Sequence, residues 1–252
     1  MLSSPSFSLE PFDVMLERIS KHYAGWEIVA EYKHSFPVIK KQFLELTPSY
    51  NMQFQAHAPL SDINIASPNE RIRGCAVNEV IDCIKVSGEL GIKLVTFHPG
   101  HLSPLTMAHR ELARKLTRES IVKIYAAAKD NGVKLALENM PKMAITICTA
   151  PEELLELIRG TEIGICFDFG HANTAGTIEK FLEHKNLFSN MHIHDNEGKW
   201  DQHLIPGSGT VDFQKHMKLL KGYKGNYVYE AMNLEDGIAG RKKLLELVAG
   251  SK

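Results

Sequence analysis

The chain has 252 residues, 44% of them hydrophobic and 23% charged, with a formal net charge of −1. That balance excludes a disordered chain, and near-neutrality argues against a broad cationic face for nucleic acid. No run approaches the ~20 apolar residues of a membrane span. The opening MLSSPSFSLEPFDVM lacks the basic-then-apolar order of a secretory signal, so a cytoplasmic protein without a membrane partner is expected.

Short apolar runs alternate with longer amphipathic ones. In chain order, strand 2–7 precedes helix 11–23, strand 26–31 precedes helix 37–46, and strand 52–57 precedes helix 70–90. Strand 92–98 is followed by helix 107–131, strand 133–138 by helix 151–159, and strand 163–169 by helix 178–184. Strand 188–195 with helix 213–221, and strand 226–231 with helix 237–248, complete the series. Pro11, Pro37 and Pro151 stand at helix starts, where a missing N–H costs nothing. Gly25, Gly91, Gly132, Gly160 and Gly225 stand between a helix and the next strand, as left-handed caps require.

Eight such units without a composition break predict an α/β chain folded as one (β/α)8 TIM barrel domain over residues 1–252. A doubly wound open sheet is the alternative, but no Gly-rich phosphate turn follows the first strand. The cysteines, Cys75, Cys83, Cys148 and Cys166, form no C-x-x-C pair and read as reduced, mostly buried thiols.

Side-chain alternation locates the site. In Lys134–Glu138 the leucines take one face and Glu138 the other; in Gly164–Asp168, Phe167 and Asp168 are opposed in the same way. His192 shares a face with His194, and Glu230 again takes the inner side. Carboxylates and an imidazole converging at a barrel mouth suit a divalent cation. His57 and His98, ending strands three and four, could bind a second ion with Glu138 bridging. His171, Asp201 and His203 could meet above strands six and seven as a third site. One divalent ion against Glu138, Asp168 and Glu230 leaves the site formally negative, which suits a neutral sugar. Three ions against those residues plus Asp201 leave it positive, which suits a phosphate.

These motifs resemble the AP endonuclease family 2, or xylose isomerase-like TIM barrel, superfamily. The resembling stretches are HAPLSDINIASPNERIR, VTFHPGHL, LALENM, GICFDFGHAN, NMHIHDN, WDQHLIPGSGTVDF and YVYE. By similarity to endonuclease IV, His57, His98 and Glu138 would hold one zinc. Glu138, Asp168, His192 and Glu230 would hold a second, and His171, Asp201 and His203 a third. The loops that read DNA do not match: Leu60 stands where endonuclease IV carries a tyrosine, and the second strand ends Val29–Ala30–Glu31–Tyr32. That ending, and HIHDNEGKWDQHLIPGSGTVDF, resemble the sugar isomerase and epimerase relatives.

The resemblance implies a zinc-type phosphoester hydrolase, with Glu138, Asp168 and Glu230 catalytic and abasic-site DNA or a small sugar phosphate as substrate. The alternative is an isomerase or epimerase of a keto sugar, using Mn or Mg, with Glu138 and Glu230 as the acid/base pair. His101, Asn139 and His194 are candidate substrate contacts. Asn139 could instead orient Glu138, and His194 could support a ligand. Lys199, Trp200 and the 206–209 turn form either a lid or a surface loop.

Overall fold

The computed structural model describes residues 1–249; the last three positions of the expected 1–252 domain lie outside the described residues. Eight parallel strands close in sequence order, each paired with the next and the eighth with the first. They are β1 (Leu2–Ser3), β2 (Gly25–Val29), β3 (Gln53–His57), β4 (Leu94–Phe97), β5 (Lys134–Glu138), β6 (Gly164–Asp168), β7 (Phe188–Ile193) and β8 (Asn226–Glu230). The helices are α1 (Phe12–Ser20), α2 (Phe36–Leu46), α3 (Glu70–Glu89), α4 (Pro104–Met107) and α5 (Arg110–Asp130), then α6 (Pro151–Ile158), α7 (Phe169–Ala175), α8 (Ile178–Leu182), α9 (Phe213–Leu219) and α10 (Leu234–Ala249). The molecule is therefore a TIM barrel. No described helix is long and apolar enough to cross a membrane.

Local chemistry explains the departures from the sequence pattern. The first strand stops at Ser3 because Ser4 caps a 3-10 turn led by Pro5, which has no N–H for a sheet ladder. The expected helix 107–131 is broken: a capping box between Ser103 and Thr106 starts α4 early, and His109, outside helical geometry, separates it from α5. An unexpected helix, α7, starts at Asp168, whose carboxylate accepts the His171 backbone N–H at 2.6 Å. Gly91, Gly132 and Gly160 adopt positive φ, whereas Gly25 and Gly225 do not. At Gly25 the reason is space: a Cβ there would lie 2.8 Å from the Met1 side chain.

The apolar core lies between strands and helices. Trp26, Phe97, Phe167, Met191 and Tyr229 point outward and are fully buried there. Phe167 stacks on Phe188 and meets Phe169 and Phe181. Burial of such a side chain contributes roughly 2–3 kcal/mol. The barrel interior is different. Where such barrels usually carry layers of branched aliphatics, Glu27, Gln55, Thr96 and Asn190 fill this one. They bond to one another: the Gln55 amide donates to Glu27 at 2.6 Å, and that of Asn190 donates to Glu27 and Thr96 at 2.8 and 2.9 Å. Of the cysteines, Cys83, Cys148 and Cys166 are buried free thiols and Cys75 is exposed.

Candidate metal centre

His57, Glu138, Asp168 and Glu230 are the last residues of β3, β5, β6 and β8; His98 follows β4, and His192 is the penultimate residue of β7. Because strand side chains alternate, these positions face into the mouth. His171 is added by the first turn of α7, and Asp201 and His203 by the loop between β7 and α9.

The nine residues form three clusters with donor atoms within 4.8 Å of one another: His57, His98 and Glu138; Glu138, Asp168, His192 and Glu230; and His171, Asp201 and His203, joined by His194. Glu138 joins the first two. Its Oε2 stands 3.1 Å from Nε2 of His57 and 3.2 Å from Nε2 of His98, and its Oε1 stands 3.1 Å from Nδ1 of His192. Glu230 Oε1 is 3.1 Å from that same Nδ1. In the outer cluster, Asp201 Oδ2 is 3.1 Å from His171 Nε2 and 3.2 Å from His203 Nε2.

Two observations test whether an ion fits. Ligands of a tetrahedral ion with bonds of about 2.1 Å stand roughly 3.4 Å apart, and these donors are spaced accordingly. Further, Nδ1 of His57 and Nδ1 of His171 each lie 2.8 Å from a backbone carbonyl, of Ala58 and Asn139. Those nitrogens carry the protons, so in the neutral rings both Nε2 lone pairs face carboxylate oxygens. Two acceptors so placed repel one another, and a divalent ion between them, or a second proton on the ring, relieves it. Asp201 Oδ1, buried without a hydrogen-bond partner among the described residues and 3.6 Å from Nε2 of His194, adds a further donor atom. The residues fit divalent ions, and the imidazole–carboxylate mixture suits zinc or its neighbours.

Burial alone would raise Glu138, but the His192, His57 and His98 imidazoles hold it well below the usual carboxylate range. Burial opposes charge on His203, yet Asp201 lifts it to about 9. Burial likewise opposes charge on His171, which Asp168 and Asp201 nonetheless raise well above its ordinary value.

Three residues expected near substrate have distinct placements. Asn139 is fully buried and bonds the Asp168 backbone twice, accepting from its N–H at 2.8 Å and donating to its carbonyl at 3.0 Å. It ties β5 to β6 and does not face the mouth. His194 is also fully buried, its ring against Gly170 and stacked on His203 at 3.9 Å; its Nε2 lies 3.1 Å from Asp168. His101 is half-buried after β4, and its backbone pairs with Asn64 and Thr146.

Asp195 and Glu27 were not singled out from the sequence. Asp195 accepts the backbone N–H groups of Asn196, Gly207, Gly209 and Val211 at 2.8–3.1 Å, which fixes the loop that carries Asp201 and His203. That loop is pinned, and within it His203 has a φ of 49°, a left-handed backbone that surrounding structure must enforce. Glu27 could have been found by the alternation used for β5–β8: Trp26 and Ile28 face outward, so Glu27 faces in.

The xylose isomerase-like TIM barrel family model matches residues 15–247. An uncharacterised protein of Methanocaldococcus jannaschii is 35% identical over an alignment covering 98% of this chain and 89% of that protein. The solved structure of a D-tagatose 3-epimerase-like protein superposes with a TM-score of 0.87 at 34% identity, covering 96% of each chain. A probable endonuclease 4 of Aquifex aeolicus is 27% identical, covering 72% of this chain and 70% of that protein.

Proposed function

This chain belongs to the xylose isomerase-like TIM barrel family, and on that footing we propose that it is a zinc-type, multinuclear phosphoester hydrolase. The observation that carries the reading is the sharing of Glu138 between two donor clusters, with a third cluster adjoining them. When bound, divalent ions supply positive charge against a phosphate and acidify an attacking water. His57 and His98 would hold one ion with Glu138; Asp168, His192 and Glu230 would hold another with it; His171, Asp201 and His203 would hold the third. Four carboxylates against three ions leave the mouth positive, so it attracts a phosphate. Glu138, Asp168 and Glu230 orient the reacting groups, and the buried ring of His194 keeps Asp168 in place.

The rim favours a small sugar phosphate over duplex DNA. Exposed Tyr32, Leu105, Met143, Trp200 and Met232 sit on the segments that follow five of the strands, and the chain carries a net charge of −1. Duplex binding asks for a basic track along the phosphates.

A second reading rests on the inner cluster alone. Glu138, Asp168, His192 and Glu230 could hold one Mn, Mg or Zn ion, with Glu138 and Glu230 exchanging a proton beside a keto-sugar carbonyl. The 34% identity to the D-tagatose 3-epimerase-like protein favours it.

Metal content per chain, measured in protein purified without chelator, separates the two. The hydrolase should approach three ions and the epimerase one. His203→Ala should reduce sugar-phosphate and abasic-duplex cleavage by more than the roughly 10–100-fold that loss of an outer-shell partner costs. Retained ketose exchange in that variant, with one ion per chain in the unaltered protein, would replace the first reading by the second.

A further inference from the structure

Three of the clustered imidazoles set Nδ1 against a backbone carbonyl. Nδ1 of His57, of His171 and of His203 lie 2.8, 2.8 and 3.4 Å from the carbonyls of Ala58, Asn139 and Glu230. The ring of His192 is turned the other way. Its Nδ1 stands 3.1 Å from both Glu138 and Glu230, while Nε2 points down into the barrel, 3.0 Å from Oε1 of Glu27. His192 and Glu27 are both fully buried.

The second close neighbour of His192 Nε2 is the side-chain nitrogen of Asn190, at 3.1 Å. That amide has two hydrogens, and better acceptors take both: Glu27 Oε2 at 2.8 Å and Thr96 Oγ1 at 2.9 Å. Glu27 Oε2 also accepts from Gln55 at 2.6 Å. Two donors therefore hold Oε2 in place, whereas Oε1 has no hydrogen-bond partner among the described residues and has His192 Nε2 beside it at 3.0 Å.

We infer that Glu27 is a positioning residue for the inner ion: it keeps the His192 proton on Nε2 and so reserves the Nδ1 lone pair for metal. A carboxylate behind a ligand imidazole fixes the tautomer and the ring's orientation and raises the ligand's basicity. Glu27 does this from the barrel interior, out of reach of substrate. The inference rests on the proposed metal centre and adds a residue to it.

The chemistry of Glu27→Gln makes the test sharp. If the new amide keeps its oxygen where Gln55 and Asn190 donate, its NH2 faces His192 Nε2. The imidazole proton is then driven to Nδ1, the atom that faces the ion. If the amide flips, its NH2 meets two other donors. Either arrangement weakens the inner site and removes no donor atom from His57, His98, His171, Asp201 or His203.

Zinc affinity, measured by chelator competition, should fall about 10–100-fold for one ion in Glu27→Gln while the remaining ions bind as in the unaltered chain. Glu27→Asp, which keeps the charge at shorter reach, should recover part of the loss. In the zinc-loaded, unaltered protein, proton NMR should show the His192 Nε2–H downfield and protected from exchange, as expected of a proton donated to a buried carboxylate. A purely architectural role would lower the metal-free melting temperature and leave affinity and the imidazole resonance unchanged. That result would overturn the inference, as would a freely exchanging Nε2–H in the unaltered protein, which decides the matter even if Glu27→Gln does not fold. A chain that takes up no zinc at all would remove the metal centre itself, a failure distinct from a Glu27→Gln variant that binds normally.

Discussion

His34 shows how one side chain sets a response to pH. It is buried edge-on to Phe12 and Trp26, and its Nε2 has no hydrogen-bond partner among the described residues. Burial lowers its pKa from 6.5 to about 4. The folded chain thus keeps the ring neutral in a range where the unfolded chain protonates it. Stability that is present above pH 6.5 is lost as the pH falls towards 4. At pH 5 the loss is on the order of 1–2 kcal/mol. His34→Phe, which suits the aromatic neighbours, should remove this part of the acid response. Urea unfolding at pH 7 and pH 5 checks it: the drop between the two pH values should be smaller in the variant than in the unaltered chain.

Among the elements, strands and loops divide the work at the mouth. The strands place donors by alternation alone, and the outer cluster depends on a loop in which one carboxylate gathers four backbone N–H groups. Asp195 satisfies four backbone N–H groups, two of them glycines, and Gly209 leaves no room for a side chain: a Cβ there would lie 2.4 Å from the Asp195 carboxylate. Asp195→Asn exchanges one acceptor oxygen for a donor and leaves N–H groups unpaired, each a cost of about 1–3 kcal/mol. Limited proteolysis should then cut the segment between 196 and 211 faster, and metal analysis should find one ion fewer per chain. An intact outer ion in Asp195→Asn would show that His171, Asp201 and His203 meet without this brace.

Across the whole molecule, the candidate ligands come from the ends of β3 to β8, the first turn of α7 and one long loop, so each ion would cross-link segments distant in sequence. An ion held at a hundred times its Kd adds about 2.7 kcal/mol. For a chain of this size that is roughly 5–10 °C of melting temperature. Dialysis against a strong chelator should lower Tm by at least that much, and added zinc should restore it. A melting temperature indifferent to both would argue against the centre.

Much of this was legible in the chain because it is local. The eight strand–helix units, the inward parity of Glu138, Asp168, His192 and Glu230, and the proline-led starts of α1, α2 and α6 follow from residue spacing and backbone chemistry within a few positions. Glu27 obeys the same parity, but a lone glutamate between Trp26 and Ile28 carries no sign of the histidine it meets across the barrel. Asp195, too, gains its meaning from glycines more than ten residues away. The short first strand and the unforeseen helix α7 were decided by caps at Ser4 and Asp168 competing with strand propensity. Sequence alone determined the barrel and the set of metal-capable side chains, because period and residue type are properties of short segments. Which oxygen of Glu138 faces which imidazole, and which ring nitrogen of His192 faces the mouth, only closure of the barrel decided, since those distances exist only once the eighth strand has met the first.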